Sequence, residues 1–206
     1  MVRRTKEDAD ATRNRLLDAA ERVFYEKGVA RASLNEIALI AGATRGAIYW
    51  HFKGKVDLFN AMMDRVAMPL EGAYVEVDAG ASHAPLTRML AAVERVMTVM
   101  LSDERTRRVF EIALYRIEYV DELLEVRERH WAAHARFHGL LTRDLGLAAC
   151  EQGLSLPMGP AVAAAGFKAL FDGLLHAWFL GRERFDLLPV ARITMLAYLR
   201  GLGFRV

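Results

Sequence analysis

Thr44-Arg45-Gly46-Ala47-Ile48-Tyr49-Trp50-His51-Phe52-Lys53 is the stretch on which the reading of this chain turns. Thr44 is placed to cap a short helix running to about His51, because its hydroxyl can accept from an orphan backbone N–H of the first turn. Ile48 and Phe52, four residues apart, share the face expected to pack inward. Just upstream, Gly42 can take positive φ and turn the chain sharply. Before it, Ser33-Leu34-Asn35-Glu36 reads as a capping box, Ser33 accepting from the N–H three residues on while Glu36 reaches back. Leu34, Ile37, Ala38 and Ala41 follow at helical spacing, so a second short helix starts at Leu34. Further back, Leu16, Ala20, Val23 and Phe24 form one stripe of a helix from about Asp8 to Lys27, which Gly28 ends.

Two short helices joined by a tight glycine turn make a helix-turn-helix pattern. In such a pair the first helix crosses the DNA backbone and the N-terminal residues of the second enter the major groove. Gly46 and Ala47 are small enough to let the helix approach base edges, and Arg45 can reach guanine acceptors or phosphate. Tyr49, His51 and Lys55 offer hydroxyl, imidazole and ammonium donors to phosphate. The expected DNA-binding residues are therefore Ser33, Thr44, Arg45, Gly46, Ala47, Tyr49, Trp50, His51 and Lys55. Charge is distributed in keeping with this. The chain carries a net charge of +2, and residues 1–60 hold 11 Lys and Arg against 8 Asp and Glu, so the positive excess sits where a polyanion would bind.

These same residues carry a resemblance. Residues about 8–60, above all Thr44 to Phe52 followed by Lys55 and Leu58-Phe59, resemble the DNA-binding domain of the TetR/AcrR family of one-component bacterial regulators. Val2-Arg3-Arg4-Thr5-Lys6 and Phe24-Tyr25-Glu26-Lys27-Gly28-Val29-Ala30-Arg31 look like the subgroup that represses multidrug efflux pumps. Ala43, where a larger aliphatic is more usual, and the apolar Leu39-Ile40 depart from the pattern. The resemblance implies an all-α fold: an N-terminal three-helix DNA-binding domain, residues 1–54, followed by a larger ligand-binding and dimerisation domain, residues 55–206, with about nine helices in all.

The remainder reads as helices throughout. A long connecting helix starts at Lys55, carries Leu58, Met62, Val66 and Leu70 toward Ala79, and meets a kink or break at Pro69. Gly80 to Pro85 is a turn. Apolar stripes then run through Leu86 to Met100 and Val109 to Ile117, and three further helices span about Asp121–Leu145, Gly159–Gly181 and Leu188–Gly201. The helix after Pro160 is apolar nearly all round and must be covered on more than one side. Part of that cover is expected from a second copy, with small residues allowing close approach. The resemblance places the last two helices of each chain in a four-helix bundle on a twofold axis, and Gly166, Leu170, Gly173, Leu174, Ile193, Leu196 and Ala197 are the expected contacts. A homodimer would read palindromic double-stranded DNA with half-sites roughly 34–36 Å apart.

A hydrophobic or amphipathic effector is expected in the helical domain. Val66, Leu70, Met89, Val93, Val96, Met97, Phe110, Leu114, Phe137, Leu141, Lys168, Phe171 and Trp178 are its candidate lining, although apolar stripes are core by default. The methionines suit ligands of varied shape. Lys168, inside the most apolar helix, either snorkels to water or supplies a polar contact.

Other chemistries find little support. His130, His134 and His138 recur every four residues, but no further ligand has a clear spacing and Arg129 and Arg136 would repel a cation, so no metal is assigned. Gly201-Leu202-Gly203 has no following helix to cradle a phosphate, and Ser33, Ser82, Ser102 and Ser155 sit in cap or turn contexts. Tyr115, Glu118 and Tyr119 read as surface or pocket-rim groups. No catalytic residue and no cofactor are assigned. Cys150 is the lone cysteine, which argues for a reducing compartment, and with no signal peptide or membrane span the expected location is the cytoplasm. The alternatives are a non-specific DNA-packing protein, which would need a larger basic surface, an activator of the same architecture, and a small helical enzyme.

Overall fold

The computed structural model describes residues 6–66, 84–118, 123–181 and 185–206. Among them every regular element is a helix: α1 (Lys6–Lys27), α2 (Leu34–Ile40), α3 (Arg45–His51), α4 (55–66), α5 (Pro85–Ser102), α6 (Glu104–Tyr115), α7 (Leu124–Glu151), α8 (Gly159–Leu180) and α9 (Leu187–Gly201). Leu70, Pro69, Ser82, Tyr119 and Asp121 lie outside the described residues. The helices form two compact units, Met1–Met68 with Arg105–Arg129, and Pro69–Glu104 with His130–Val206.

The first unit is built around α1. Leu16, Leu17, Ala20, Val23 and Phe24 are buried in one core with Ile37 and Ala38 of α2, Ile48 of α3, and Leu58, Phe59, Met62 and Val66 of α4. Val109, Ile112 and Ala113 of α6 join the same core. These units are therefore drawn differently from the expected domains 1–54 and 55–206, because the apolar stripes of α4 and α6 pack into the core of the first three helices.

Two acidic residues of α1 fasten this packing with charge. Asp18 lies 2.8 Å from Arg65 of α4 and 3.0 Å from Arg105 of α6. Glu21, with its side chain 6% exposed, lies 3.2 Å from Arg108 and within 3.6 Å of Arg65. Burial pushes the Glu21 carboxyl up from the ordinary carboxylate value despite the surrounding arginines, so its ionisation is the expensive part of the arrangement.

In the second unit α9 packs on α5 and α8. Gly166 matters here for space: a Cβ on it would come within 2.2 Å of the Tyr198 hydroxyl, which donates to the Ala163 carbonyl at 2.9 Å. The close α8–α9 approach at this residue is thus made within the chain. Asp144, fully buried on α7, accepts from Arg88 of α5 at 3.0 and 3.3 Å and from Arg143 at 2.9 Å. A buried carboxylate needs such partners, since its desolvation is otherwise uncompensated. α7 runs to Glu151, beyond the expected end at Leu145, because Ala148 and Ala149 continue the buried stripe of Leu141 and Leu145.

Candidate nucleic-acid interface and effector face

α3 is presented as the sequence leads one to expect. Thr44 has extended backbone angles and its hydroxyl accepts from the Ala47 N–H at 3.3 Å. Ile48 and Phe52 are buried and tie the helix to the unit's core. Gly42, at φ +61°, makes the turn from α2 in a conformation that a residue with Cβ rarely adopts. Ser33 caps α2, but by accepting from Asn35 N–H at 3.2 Å, and Glu36 does not reach back to complete the expected box. Its carboxylate pairs with Lys27 at 2.6 Å, a charge-assisted contact that outcompetes a neutral N–H donor.

With Ile48 turned in, Thr44, Arg45, Gly46, Tyr49 and Trp50 are exposed, and Ala47 and His51 partly so. Trp50 is 72% exposed and meets the edge of the His51 ring at 4.4 Å. The Arg45 guanidinium donates to the Tyr49 hydroxyl at 3.2 Å and lies over its ring. This contact preorients a bidentate donor on the first turn, at the end of the helix that a groove would admit. α3 contains no acidic residue. Lys55, expected to face phosphate, donates to the Ala30 carbonyl at 2.8 Å and so holds the α1–α2 connection against the start of α4. Leu39 and Ile40 are exposed beside this surface, 79% and 41%.

The expected effector-lining residues divide between the two units. Val66 is in the core of the first, Phe110 packs against that core, and Leu114 is exposed. Met89, Val93, Met97, Leu141, Lys168, Phe171 and Trp178 are buried in the second, with Val96 and Phe137 partly buried. Lys168 does not snorkel: its ammonium lies 2.6 Å from the Asp172 carboxylate and over the Phe137 ring. His134 faces the same carboxylate at 3.8 Å. Among the described residues no group of His, Cys, Asp and Glu is arranged to hold a metal ion. No helix among them is long and apolar enough to cross a membrane.

On α8, Val162, Ala165, Ala169, Gly173, Ala177 and Leu180 form an exposed stripe of small and apolar residues. On α9, Ile193 is 67% exposed and Ala197 is exposed beside it. Leu170, Leu174 and Leu196 are partly buried at the margins.

Desolvation, with the Lys168 charge behind it, lowers the pKa of both His130 and His134 from the ordinary 6.5. Below that ordinary value the unfolded chain takes up protons that the folded chain refuses, so this contribution to stability is lost as pH falls. Between pH about 7.5 and about 5.5 the melting temperature of the native protein should therefore fall further than that of a His130→Gln/His134→Gln variant. Equal losses in the two proteins would contradict it.

An exposed, cap-held helix on a short glycine turn, in a chain whose second unit carries an uncovered apolar face, defines a helix-turn-helix DNA-binding regulator. Residues 16–62 match the bacterial regulatory proteins of the tetR family, and residues 84–204 match the C-terminal region of the MAATS-type transcriptional repressors. The chain belongs to the TetR family. It is 37% identical over 188 residues to the transcriptional regulator TtgR of Pseudomonas putida, covering 91% of this chain and 90% of that one. Its fold is similar to the crystal structure of NalD, the secondary repressor of the MexAB-OprM multidrug efflux pump in Pseudomonas aeruginosa, with a TM-score of 0.86, 36% identity and coverage of 96% and 98%. It is also similar to SmeT, the repressor of the Stenotrophomonas maltophilia pump SmeDEF, in its triclosan complex, with a TM-score of 0.81, 31% identity and coverage of 93% and 91%.

Proposed function

We propose that the chain is a cytoplasmic, homodimeric repressor of a multidrug-efflux or related operon, released from a palindromic operator by hydrophobic or amphipathic small molecules. The observation that carries this is the outward face of α3, where Arg45, Tyr49 and Trp50 stand exposed on a helix held to the core by the buried Ile48 and by Phe52 just after it. In this reading Ser33, Thr44, Arg45, Gly46, Ala47, Tyr49, Trp50 and His51 meet DNA, while Lys55 sets the position of the reading head from behind.

Pairing occurs through the exposed stripe of α8 and through Ile193 and Ala197 of α9. A C2 interface uses the same patch on both copies, so one apolar stripe suffices. Effectors enter the second unit among Met89, Val93, Met97, Phe137, Phe171 and Trp178. Compounds that bind only a conformation with wrongly spaced recognition helices draw population away from the DNA-competent form. Relatedness to NalD and to SmeT, the second of which is known in complex with triclosan, supports both the operon class and the effector class. The small positive excess speaks against a non-specific packing protein, whose binding would rest on charge alone.

Fluorescence anisotropy at physiological salt tests the reading. The protein should prefer a palindrome selected from a randomised duplex pool over its scrambled version by at least about 1,000-fold, and triclosan should release it. Equal affinity for the two duplexes would overturn the repressor reading.

A further inference from the structure

We infer that the face shared by α7 and α8 selects aromatic effectors bearing an ionised oxygen, a carboxylate or a phenolate, and that Lys168 is the group that holds that oxygen. The inference rests on the effector-binding reading above.

Lys168 stands on a helix otherwise almost wholly apolar, and its side chain is only 9% exposed. Its partner is arranged differently. Asp172 is 48% exposed at 2.6 Å from the ammonium, so one end of the pair is wet and the other dry. At i,i+4 spacing an ordinary helix-surface pair would leave both ends in water. Here the carboxylate can swing into solvent at little cost, while the ammonium cannot follow and a buried charge without a partner is strongly unfavourable. An incoming anion that replaces Asp172 therefore gains a desolvated cation. A neutral ligand that displaces Asp172 leaves that cation bare, and a cationic ligand is repelled.

The surroundings supply the rest of the specificity. The Lys168 ammonium lies 5.8 Å from the centroid of the Phe137 ring, which lies 5.9 Å from that of Phe171. A flat ring finds aromatic surface beside the charge. Toward the surface, Trp131 is stacked on His134 at 5.4 Å with the rings 6° from parallel, and extends the aromatic wall. Histidines also face this site. His134 approaches Asp172, the His138 Nε2 pairs with the Ala161 carbonyl at 3.1 Å, and His130 is held toward its neutral form with His134. Lys168 is thus a buried cation of the site, beside two imidazoles, His130 and His134, whose charged forms burial disfavours.

The test uses the full chain and three probes with one ring system: 1-naphthoate, 1-naphthylmethanol and 1-naphthylmethylammonium. Isothermal titration calorimetry should rank them anion, alcohol, ammonium, with naphthoate at least about 10-fold tighter than the alcohol. Lys168→Met, close to isosteric in an apolar helix, should weaken naphthoate about 10-fold and leave the alcohol within about 3-fold. Asp172→Asn removes the competing carboxylate and should tighten naphthoate. The opposite signs of the two variants separate a ligand-binding role from a purely structural pair, and their melting temperatures check that both fold.

Tightest binding by the ammonium, or equal effects of both variants on naphthoate and the alcohol, would overturn the inference. Binding of the alcohol with operator release but no preference for naphthoate removes the anion selectivity alone. A chain that binds none of the probes and no palindrome removes the effector reading with it.

Discussion

The Arg45→Ala variant is expected to bind its operator at least about 30-fold more weakly than the native protein, with its melting temperature unchanged. A good bidentate contact to a base edge contributes about 1–3 kcal/mol, and a dimer makes it twice, so the loss on a palindrome is about 2–6 kcal/mol. Folding should not notice the change. Arg45 is exposed, its hydrogen-bond partner Tyr49 is exposed as well, and surface substitutions of this kind stay within about 0.5 kcal/mol. The signature of base readout is the contrast between duplexes: affinity for the palindrome should collapse while affinity for a scrambled sequence falls only modestly. Anisotropy titrations of both duplexes, with thermal unfolding as the folding control, check it. A variant that still binds the palindrome with native affinity would remove Arg45 from the interface.

The second large effect is expected from Ile193→Arg. Ile193 is 67% exposed in a single chain, so a monomer should tolerate arginine there. On a twofold interface the substitution sets like charges against each other in a desolvated patch, which costs several kcal/mol. Light scattering should report the mass of one chain, 23.1 kDa, in place of two. Operator affinity should fall by about 100-fold or more, because the second half-site is no longer bound at the high effective concentration that linkage provides. A variant that stays dimeric would place the interface elsewhere.

How far the sequence reached depends on the range over which each feature is encoded. α3 was legible because its signals are local: a threonine cap, an inward pair four residues apart, and a glycine at the turn. The same holds for α1 and for the uncovered stripe of α8, which an all-round apolar composition announces. Features made between distant residues were not legible. The fastening of α1 to α6 pairs Asp18 with Arg105 and Glu21 with Arg108, each 87 residues apart, and no spacing rule points to either. Glu36 reads as half of a capping box until Lys27 is brought beside it by folding. Val66 and Phe110 read as effector lining because a buried apolar residue looks alike in any core, and only packing assigns them to the first unit. Lys168 lies between these cases. Its partner at i+4 is visible in the sequence, but the unequal burial of the two ends, which gives the pair its proposed role, is visible only in three dimensions.

In the proposed repressor two α3 helices, carried by a twofold pair of chains, read the two halves of one palindrome together. The most direct measurement is anisotropy binding to the selected palindrome and to the same duplex with about 5 base pairs inserted at its centre, half a helical turn. The insertion, which turns one half-site to the opposite side of the duplex, should reduce affinity to that for scrambled DNA. Undiminished binding to the interrupted palindrome would contradict it.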